Sequence, residues 1–225
     1  MSMDLEKIKI TELRPMSEII YEKLRQAILE EKFKAGERLI ETTIADLLGV
    51  SRTPIREAFK QLEADGLIKS IPRKGVIVQG VSLEDALEIY EIREALEGMA
   101  SRLACKRISK EELQEIRSII TSMETSIEDE NDKEYKKLHI IFNNKILEAS
   151  RNKKLIDEMN KYYEYLINLR NTTLKNNERR KEVLQEHIAI INAIESGDED
   201  LAENLTRKHI RRAKEIFYIN KSKDI

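Results

Sequence analysis

The sequence predicts a mainly α-helical protein with one short β-hairpin near residue 70. Two observations lead to this fold class. Apolar residues recur at spacings of three and four along most of the chain, and Pro72 is the last of only 3 prolines. The stretch after Gly66 differs, because short β-branched runs there flank a Pro-Gly turn. A long helical part is therefore expected after about residue 80.

Length and charge limit the classes of function. The 225 residues, of which 36% are charged, fit one large or two small domains. A net charge of −2 does not suit a protein that coats nucleic acid by charge alone. Residues 49 to 80 carry six basic and three acidic residues, a local charge of +3 from 6 − 3, so any DNA binding is expected from this patch.

Location is predicted from the cysteine content and from hydropathy. The single cysteine, Cys105, provides no disulfide framework and suits a reducing cytosol. No apolar run has the length needed to cross a bilayer, and the N-terminus lacks the pattern of a signal peptide. We therefore expect a cytoplasmic protein without a membrane association.

Two helices joined at Gly49 are the first elements with a functional signature. The first has an apolar stripe within residues 40 to 48, and Gly49 permits a sharp turn. The second buries one side through residues spaced by three and four, namely Ile55, Ala58, Phe59 and Leu62. This is the pattern of a helix-turn-helix.

The second helix begins with Arg52 and Arg56, which lie four positions apart and share one face. Arginine contacts guanine O6 and N7 in the major groove, and a helix N-terminus favours phosphate. Ser51 or Thr53 is expected as the N-cap, and Pro54 fits the first turn. A surface helix with solvated arginines is the alternative, and the neighbouring motifs argue against it.

A β-hairpin follows the two helices. Leu67 to Ile71 and Val76 to Val78 are β-branched runs around Pro72-Arg73-Lys74-Gly75. The tip is basic, and Gly75 allows the backbone to approach a sugar-phosphate chain. Residues 1–79 are therefore predicted to form a winged helix-turn-helix domain that binds DNA.

Residues 80–225 are predicted to form an antiparallel bundle of about six helices. The expected helices cover residues 82–107, 110–129, 133–150, 153–175 and 179–196, with a last one that runs to about 220. Ser109 and Glu112 form a capping box, and Gly197 and Asp198 separate the last two helices. The basic run Arg179-Arg180-Lys181 is expected to be a solvated helix face.

All three histidines of the chain lie on apolar stripes of this bundle: His139, His187 and His209. Core-facing imidazoles are costly unless their nitrogens are satisfied, and a bound metal would satisfy them. A histidine on an apolar face is often a satisfied core residue, so the residues alone leave both interpretations open.

With these motifs the chain resembles the GntR family of bacterial transcription regulators, in the FadR-like subgroup with an all-helical FCD ligand-binding domain. The matching residues are Ala35 to Leu39, Glu41, the run Ser51 to Ala58, Gln61 to Glu63, Asp65 to Leu67, Glu91 to Arg93, Leu96, Glu97, Ala149, Ser150 and Asn152. Glu31 and Ala35 depart from the family's usual Gly and Pro, within a connector.

The resemblance implies a homodimer that binds a palindromic operator of double-stranded DNA. By position it implies DNA contacts from Thr42, Ser51, Arg52, Thr53, Arg56 and Gly75. Thr42 stands where the family usually has a basic residue, so we rank Arg52 and Arg56 above it. By resemblance, release from DNA when an effector binds is the commoner behaviour, which is that of a repressor, and the residues themselves leave both repression and activation open.

For the bundle, the resemblance implies a metal-assisted effector site. His187 and His209 match the two later metal histidines of the family. His139 occupies the family's usual acid position and Asn143 its histidine position, so Asn143 is a weaker, neutral fourth ligand. Zinc, nickel or manganese suits such a set. The expected effector is a small carboxylate. Arg93 either binds this carboxylate or forms an ion pair with a nearby Glu.

Two other classes of function are compatible with a histidine-containing bundle. A metal-dependent helical-bundle enzyme is one, but the Glu-x-x-His repeats and the His-Glu-x-x-His, phosphate-loop and nucleophile-elbow motifs are absent from the sequence. A DNA-binding dimer that responds to no ligand is the other. We therefore predict a ligand-responsive transcription regulator and not an enzyme.

Overall fold

The computed structural model describes residues 14–29, 32–71, 75–79, 82–162, 165 and 173–222. Its contacts divide the chain into two compact units, Met1–Ser82 and Leu83–Ile225. The basic hairpin tip predicted at Arg73 and Lys74 lies outside the described residues.

The described residues of the first unit form three helices and a small antiparallel sheet. These elements are α1 (Met16–Leu29), β1 (Arg38–Leu39), α2 (Glu41–Leu48), α3 (Arg52–Ala64), β2 (Ile68–Ile71) and β3 (Gly75–Val78). The strand order is β1-β3-β2, with Arg38 opposite Ile77 and Ile68 opposite Val78. The hairpin was expected, but β1 was not, because a strand of two residues is too short to show a periodic pattern.

The turn between α2 and α3 has the geometry that the sequence predicts. Gly49 has a φ of 70°, in the left-handed region, and its N–H donates to the carbonyl of Ala45. Ile44, Ile55 and Leu62 are almost completely buried, so the facing sides of the helices meet in the core of this unit. The helix-turn-helix prediction is thereby confirmed.

The second unit is all-helical in its described part. Its six helices there are α4 (Leu83–Arg107), α5 (Lys110–Glu128), α6 (Asp132–Ala149), α7 (Lys153–Asn160), α8 (Asn177–Glu195) and α9 (Glu199–Ser222). Helices α4 and α9 run antiparallel, because Arg102 pairs with Glu203 (3.2 Å) while Glu91 pairs with Lys214 (2.7 Å). None of the described helices is long and apolar enough to span a bilayer.

Short-range sequence motifs correctly predicted several helix ends of the second unit. Ser109 and Glu112 form the predicted capping box, each side chain bonding the other's backbone N–H. Asp198 accepts from the N–H of Leu201 (3.0 Å), and Gly197 has a φ of 73°. These short-range motifs therefore separate the helices as expected.

The helix predicted over residues 153–175 is wrong in length. Helix α7 ends at Asn160, and Lys161 and Tyr162 form a turn. The apolar residues continue at helical spacing beyond this point, so periodicity alone does not reveal the end. Most of the remaining predicted helix lies outside the described residues.

The prediction of a solvated basic face on α8 is also wrong. Arg179 and Arg180 have relative exposures of 6% and 3%. The Arg180 guanidinium donates to the carbonyls of Leu174 (3.1 Å) and Lys175 (3.2 Å) and pairs with Asp132. The buried guanidinium is thus satisfied by backbone oxygens that precede α8 and by a carboxylate.

Candidate DNA interface and candidate metal centre

Helix α3 presents its predicted polar face to solvent. Ser51, Arg52, Thr53 and Arg56 are exposed, as is Lys60 one turn later. Ser51 occupies the N-cap position, but its hydroxyl makes no capping hydrogen bond. The hydroxyl and the first amides of α3 thus remain available for a phosphate oxygen.

An acidic residue of α2 holds both arginines in place. The Glu41 carboxylate lies 2.8 Å from Arg56 Nε and 3.4 Å from an Arg52 terminal nitrogen. The guanidinium groups of the two arginines therefore converge on one point beside α3. Glu41 was noted in the sequence only as part of a motif, and nothing local indicates that it pairs with residues 11 and 15 positions away.

The wing contributes a second polar surface. Gly75 has a φ of 86°, and a Cβ there would lie 2.9 Å from Arg38 Nε. The exposed Arg38 side chain thus rests directly on the Gly75 backbone. Arg38 was missed as a DNA-binding candidate, because its position beside the hairpin depends on the unpredicted strand β1. Thr42 is exposed in the first turn of α2.

The three histidines converge in the core of the second unit. His139 lies on α6, His187 on α8 and His209 on α9, with relative exposures of 3%, 0% and 5%. One ligand atom from each ring lies within 4.8 Å of those of the other two. The His187 ring is central, 5.0 Å between centroids from both other rings, and stacks on Phe142 at 4.1 Å.

One ring of this histidine cluster is fixed by a carboxylate. His209 Nδ1 lies 2.5 Å from a carboxylate oxygen of Glu186, which also forms a two-pronged ion pair with Arg179 (2.8 and 3.2 Å). Burial alone would raise the pKa of Glu186, but the hydrogen bonds from His209 and Arg179 hold that pKa below its ordinary value. The carboxylate is therefore charged beside His209.

Asn143 lies one helical turn after His139 and contacts it. Its amide nitrogen donates to the His139 carbonyl (2.8 Å) and lies 3.3 Å from His139 Nδ1. Only the amide oxygen of Asn143 remains for a further contact. The predicted i, i+4 pair thus shares one face of α6.

A cavity adjoins the histidine cluster. It is lined by His209 and Asn143, by further polar residues including Asn144, Asn160, Ser101 and Thr206, and by apolar residues including Ile146, Leu147 and Ile190. The space open to water-sized molecules is about 30 Å³, enough for about two waters. In this form the polar cavity beside the three imidazoles accommodates water-sized molecules, and a larger ligand requires the surrounding side chains to move.

Arg93 is engaged in an ion pair. It is 3% exposed, and its Nε donates to Glu97 at 2.8 Å. Its guanidinium also lies over the Tyr90 ring, 5.1 Å from the centroid. Glu97 lines the cavity. Of the two roles that the sequence left open, the ion pair with a nearby Glu is the one formed here.

Comparison with protein families agrees with both units. Residues 16–78 match the model of the bacterial regulatory proteins of the gntR family, and residues 88–212 match the FCD domain. The chain belongs to the GntR family. This GntR protein is accordingly a DNA-binding transcription regulator and not an enzyme, as the sequence predicted.

Two relatives that are similar to this GntR protein over most of their length are named as transcription regulators. It is 29% identical over 206 residues to the HTH-type transcriptional regulator YdhC of Bacillus subtilis (strain 168), covering 91% of this chain and 92% of the relative. It is also 29% identical over 183 residues to a probable D-xylose utilization operon transcriptional repressor of Paenarthrobacter nicotinovorans, covering 81% and 80%. Repressors are thus among its relatives.

Solved structures show the same fold. Escherichia coli McbR/YncC superposes with a TM-score of 0.68 at 20% identity, covering 92% of this chain and 98% of that one. A GntR regulator from Rhodococcus gives a TM-score of 0.66 at 21% identity, covering 90% and 97%. The two-part architecture of this GntR protein is therefore shared with known structures.

Proposed function

We propose that this GntR protein is a dimeric regulator whose affinity for a palindromic operator is controlled by a small carboxylate bound with a metal ion in the FCD domain. The observation that carries the proposal is the buried histidine cluster beside a polar cavity. A bundle whose only task was to dimerise would have no use for three imidazoles within 4.8 Å of one another.

In the DNA-binding unit, α3 would enter the major groove. Arg52 and Arg56 are exposed on one face and would contact guanine edges, since a guanidinium binds O6 and N7 together. Thr42, Ser51 and Thr53 would bind phosphate oxygens, and the backbone at Gly75 would approach the sugar-phosphate chain. Base contacts would then come from α3, and the other residues would fix its position.

A dimer is expected because a single α3 helix contacts too short a stretch of DNA to define a specific site. One helix contacts only a few base pairs, and two copies related by twofold symmetry bind two half-sites about one helical turn apart. Effector binding would shift the population between arrangements with different spacing of the two helices. Operator binding as a dimer is also usual for GntR regulators.

The donor set fits a divalent metal. His139, His187 and His209 supply three imidazoles, and the Asn143 oxygen is a fourth, weaker donor. Tetrahedral zinc holds imidazole nitrogens about 3.3 Å apart, so small side-chain rotations would bring the ring nitrogens, which lie within 4.8 Å, into place. When bound, the metal would supply a positive centre that attracts a carboxylate.

The effector would enter the adjacent cavity. Its carboxylate would complete the coordination, and the amides and hydroxyls of Asn144, Asn160 and Thr206 would bind further polar groups. The Glu97 side chain also lines this space, and a second carboxylate of the effector would compete with it for Arg93. Relatives are named for the D-xylose and gluconate operons, which accords with a small, polar effector.

The DNA-binding part is tested by changing Arg56. Arg56→Ala should weaken binding to a selected operator by about 1 to 3 kcal/mol, the worth of one bidentate base contact. Arg56→Lys is the matched control, because it keeps the charge but loses the planar fork. Loss of sequence discrimination in both variants supports base contact. If Arg56→Lys keeps full sequence discrimination, Arg56 contacts a phosphate and not a base. If both variants give unchanged footprints on the operator, the role of α3 is refuted.

The metal part is tested by elemental analysis of protein purified without chelator. About one metal ion per chain is expected, and His187→Ala should contain none. Titration with candidate carboxylates, followed by operator binding, then identifies the effector. If the protein contains no metal and gains no thermal stability from zinc, nickel or manganese, the metal part is refuted.

A further inference from the structure

We propose that Glu186 is a positioning residue that fixes the His209 ring so that Nε2 faces the metal. The inference rests on the proposed metal site and adds to it a residue that binds neither DNA nor metal directly. Its basis is geometric, in the contacts that Glu186 makes on both sides.

The contact between Glu186 and His209 involves a defined atom of the ring. Glu186 lies on α8 and His209 on α9, and a carboxylate oxygen is 2.5 Å from Nδ1. A carboxylate accepts hydrogen bonds, so Nδ1 must carry the proton. In the neutral ring the lone pair is then on Nε2. A neutral imidazole with its lone pair on a known nitrogen is already prepared to coordinate.

Glu186 is itself held in a fixed orientation. Arg179, one of the buried residues of the second unit, binds both carboxylate oxygens from two turns earlier on α8. Glu186 is 28% exposed, whereas the His209 side chain is 6% exposed. The carboxylate therefore lies between a buried cation and a buried ring, and it has little freedom to turn away from Nδ1.

Such an outer carboxylate raises the basicity of the ligand and lowers the entropy lost on coordination. Removing one typically reduces metal affinity by about 10- to 100-fold. Glu182 provides a matched control, because its carboxylate lies 3.0 Å from the same arginine, Arg179, but its side chain is 58% exposed. Glu182→Gln removes an equal charge from the same helix, and the Glu182 carboxylate pairs with Arg179 on the exposed side of α8.

The first measurement is zinc affinity by competition with a chelating dye, using zinc alone and the full-length protein. Glu186→Ala should raise the zinc Kd by about 10- to 100-fold. Glu186→Gln keeps an acceptor of the same shape and should show a smaller increase. Glu182→Gln should bind zinc as the unmodified protein does. Circular dichroism establishes that each variant is folded, and the near-isosteric Glu186→Gln decides the result if Glu186→Ala is not.

The second measurement needs no metal. The chain contains only 3 histidines, so the ring ¹⁵N NMR spectrum of histidine-labelled protein is simple, and His209→Gln assigns one ring. In metal-free protein the His209 proton should be on Nδ1, and in Glu186→Ala it should move towards Nε2. Glu182→Gln should leave the spectrum unchanged.

The outcomes separate this inference from the proposed function. If the unmodified protein binds no zinc, nickel or manganese, the metal site fails and the role of Glu186 fails with it. If it binds zinc and Glu186→Ala binds equally well, the role of Glu186 alone is refuted. A His209 ring with the same tautomer in the presence and absence of the carboxylate also refutes that role.

Discussion

Glu41→Gln should reduce sequence discrimination by this regulator without reducing its general attraction to DNA. Glu41 pairs with both Arg56 (2.8 Å) and Arg52 (3.4 Å), so it orders the two guanidinium groups before DNA arrives. Loss of the carboxylate would leave two long side chains to be ordered during binding, which costs conformational entropy. The same change removes one negative charge that repels phosphate.

The magnitude follows from the exposure of the pairs. The side chains of Arg52 and Arg56 are 55% and 59% exposed, so each pair is expected to contribute near the middle of the range for surface ion pairs. Two pairs of about 0.5 kcal/mol each give about 1 kcal/mol, or about a fivefold lower ratio of operator affinity to random-sequence affinity. Affinity for random DNA should rise slightly, because one acidic group is removed.

The assay is fluorescence anisotropy with operator and random duplexes at several salt concentrations. Glu57→Gln is the matched control, because it removes the same charge from an exposed position on α3. The control should strengthen binding to both duplexes equally, whereas Glu41→Gln should lower their ratio. Equal ratios in the two variants would show that Glu41 contributes only its charge.

Three further predictions concern the wing and the bundle. Gly75→Ala should cost about 1 to 3 kcal/mol of strain at its positive φ and displace Arg38, so operator affinity should fall; unchanged affinity in an anisotropy titration would show that this part of the wing does not contact DNA. Arg180→Met should lower the unfolding free energy by about 1 to 3 kcal/mol, because the carbonyl of the buried Leu174 loses its donor. Urea unfolding measures this, with the exposed Lys181→Met as control, and similar values for both would refute it. Chelation of a metal present at 100 times its Kd should lower the free energy of unfolding by about 2.7 kcal/mol. Calorimetry should show a lower Tm after chelation for the unmodified protein but not for His187→Ala. An equal decrease in Tm for both proteins would show that the metal binds elsewhere.

Local sequence signals predicted the elements whose causes are local. Gly49, the capping box at Ser109 and the cap at Asp198 each act within four residues, and the structure forms all three. The burial of the histidines followed from helical spacing in the same way. Such features need no knowledge of how distant helices pack.

The features that sequence reasoning missed depend on contacts between distant residues. Glu41 meets Arg56 across the turn, and Glu186 meets His209 across 23 residues. Arg180 is buried because the carbonyls that precede α8 and the Asp132 carboxylate all accept hydrogen bonds from it. From the sequence alone, a charged residue is expected to be exposed to solvent. Whether it is buried depends on the group that pairs with it, and that pairing is set by how the helices pack.

The small size of the cavity beside the histidines has a consequence for the rate of response. A space of about 30 Å³ admits water but is too small for an organic acid, so the surrounding side chains would have to move before the proposed effector entered. Association would then be limited by that opening and would saturate at high effector concentration, and the effector would leave only when the same side chains move again. The duration of the transcriptional response would thus depend on how long the effector stays bound, and not only on its concentration.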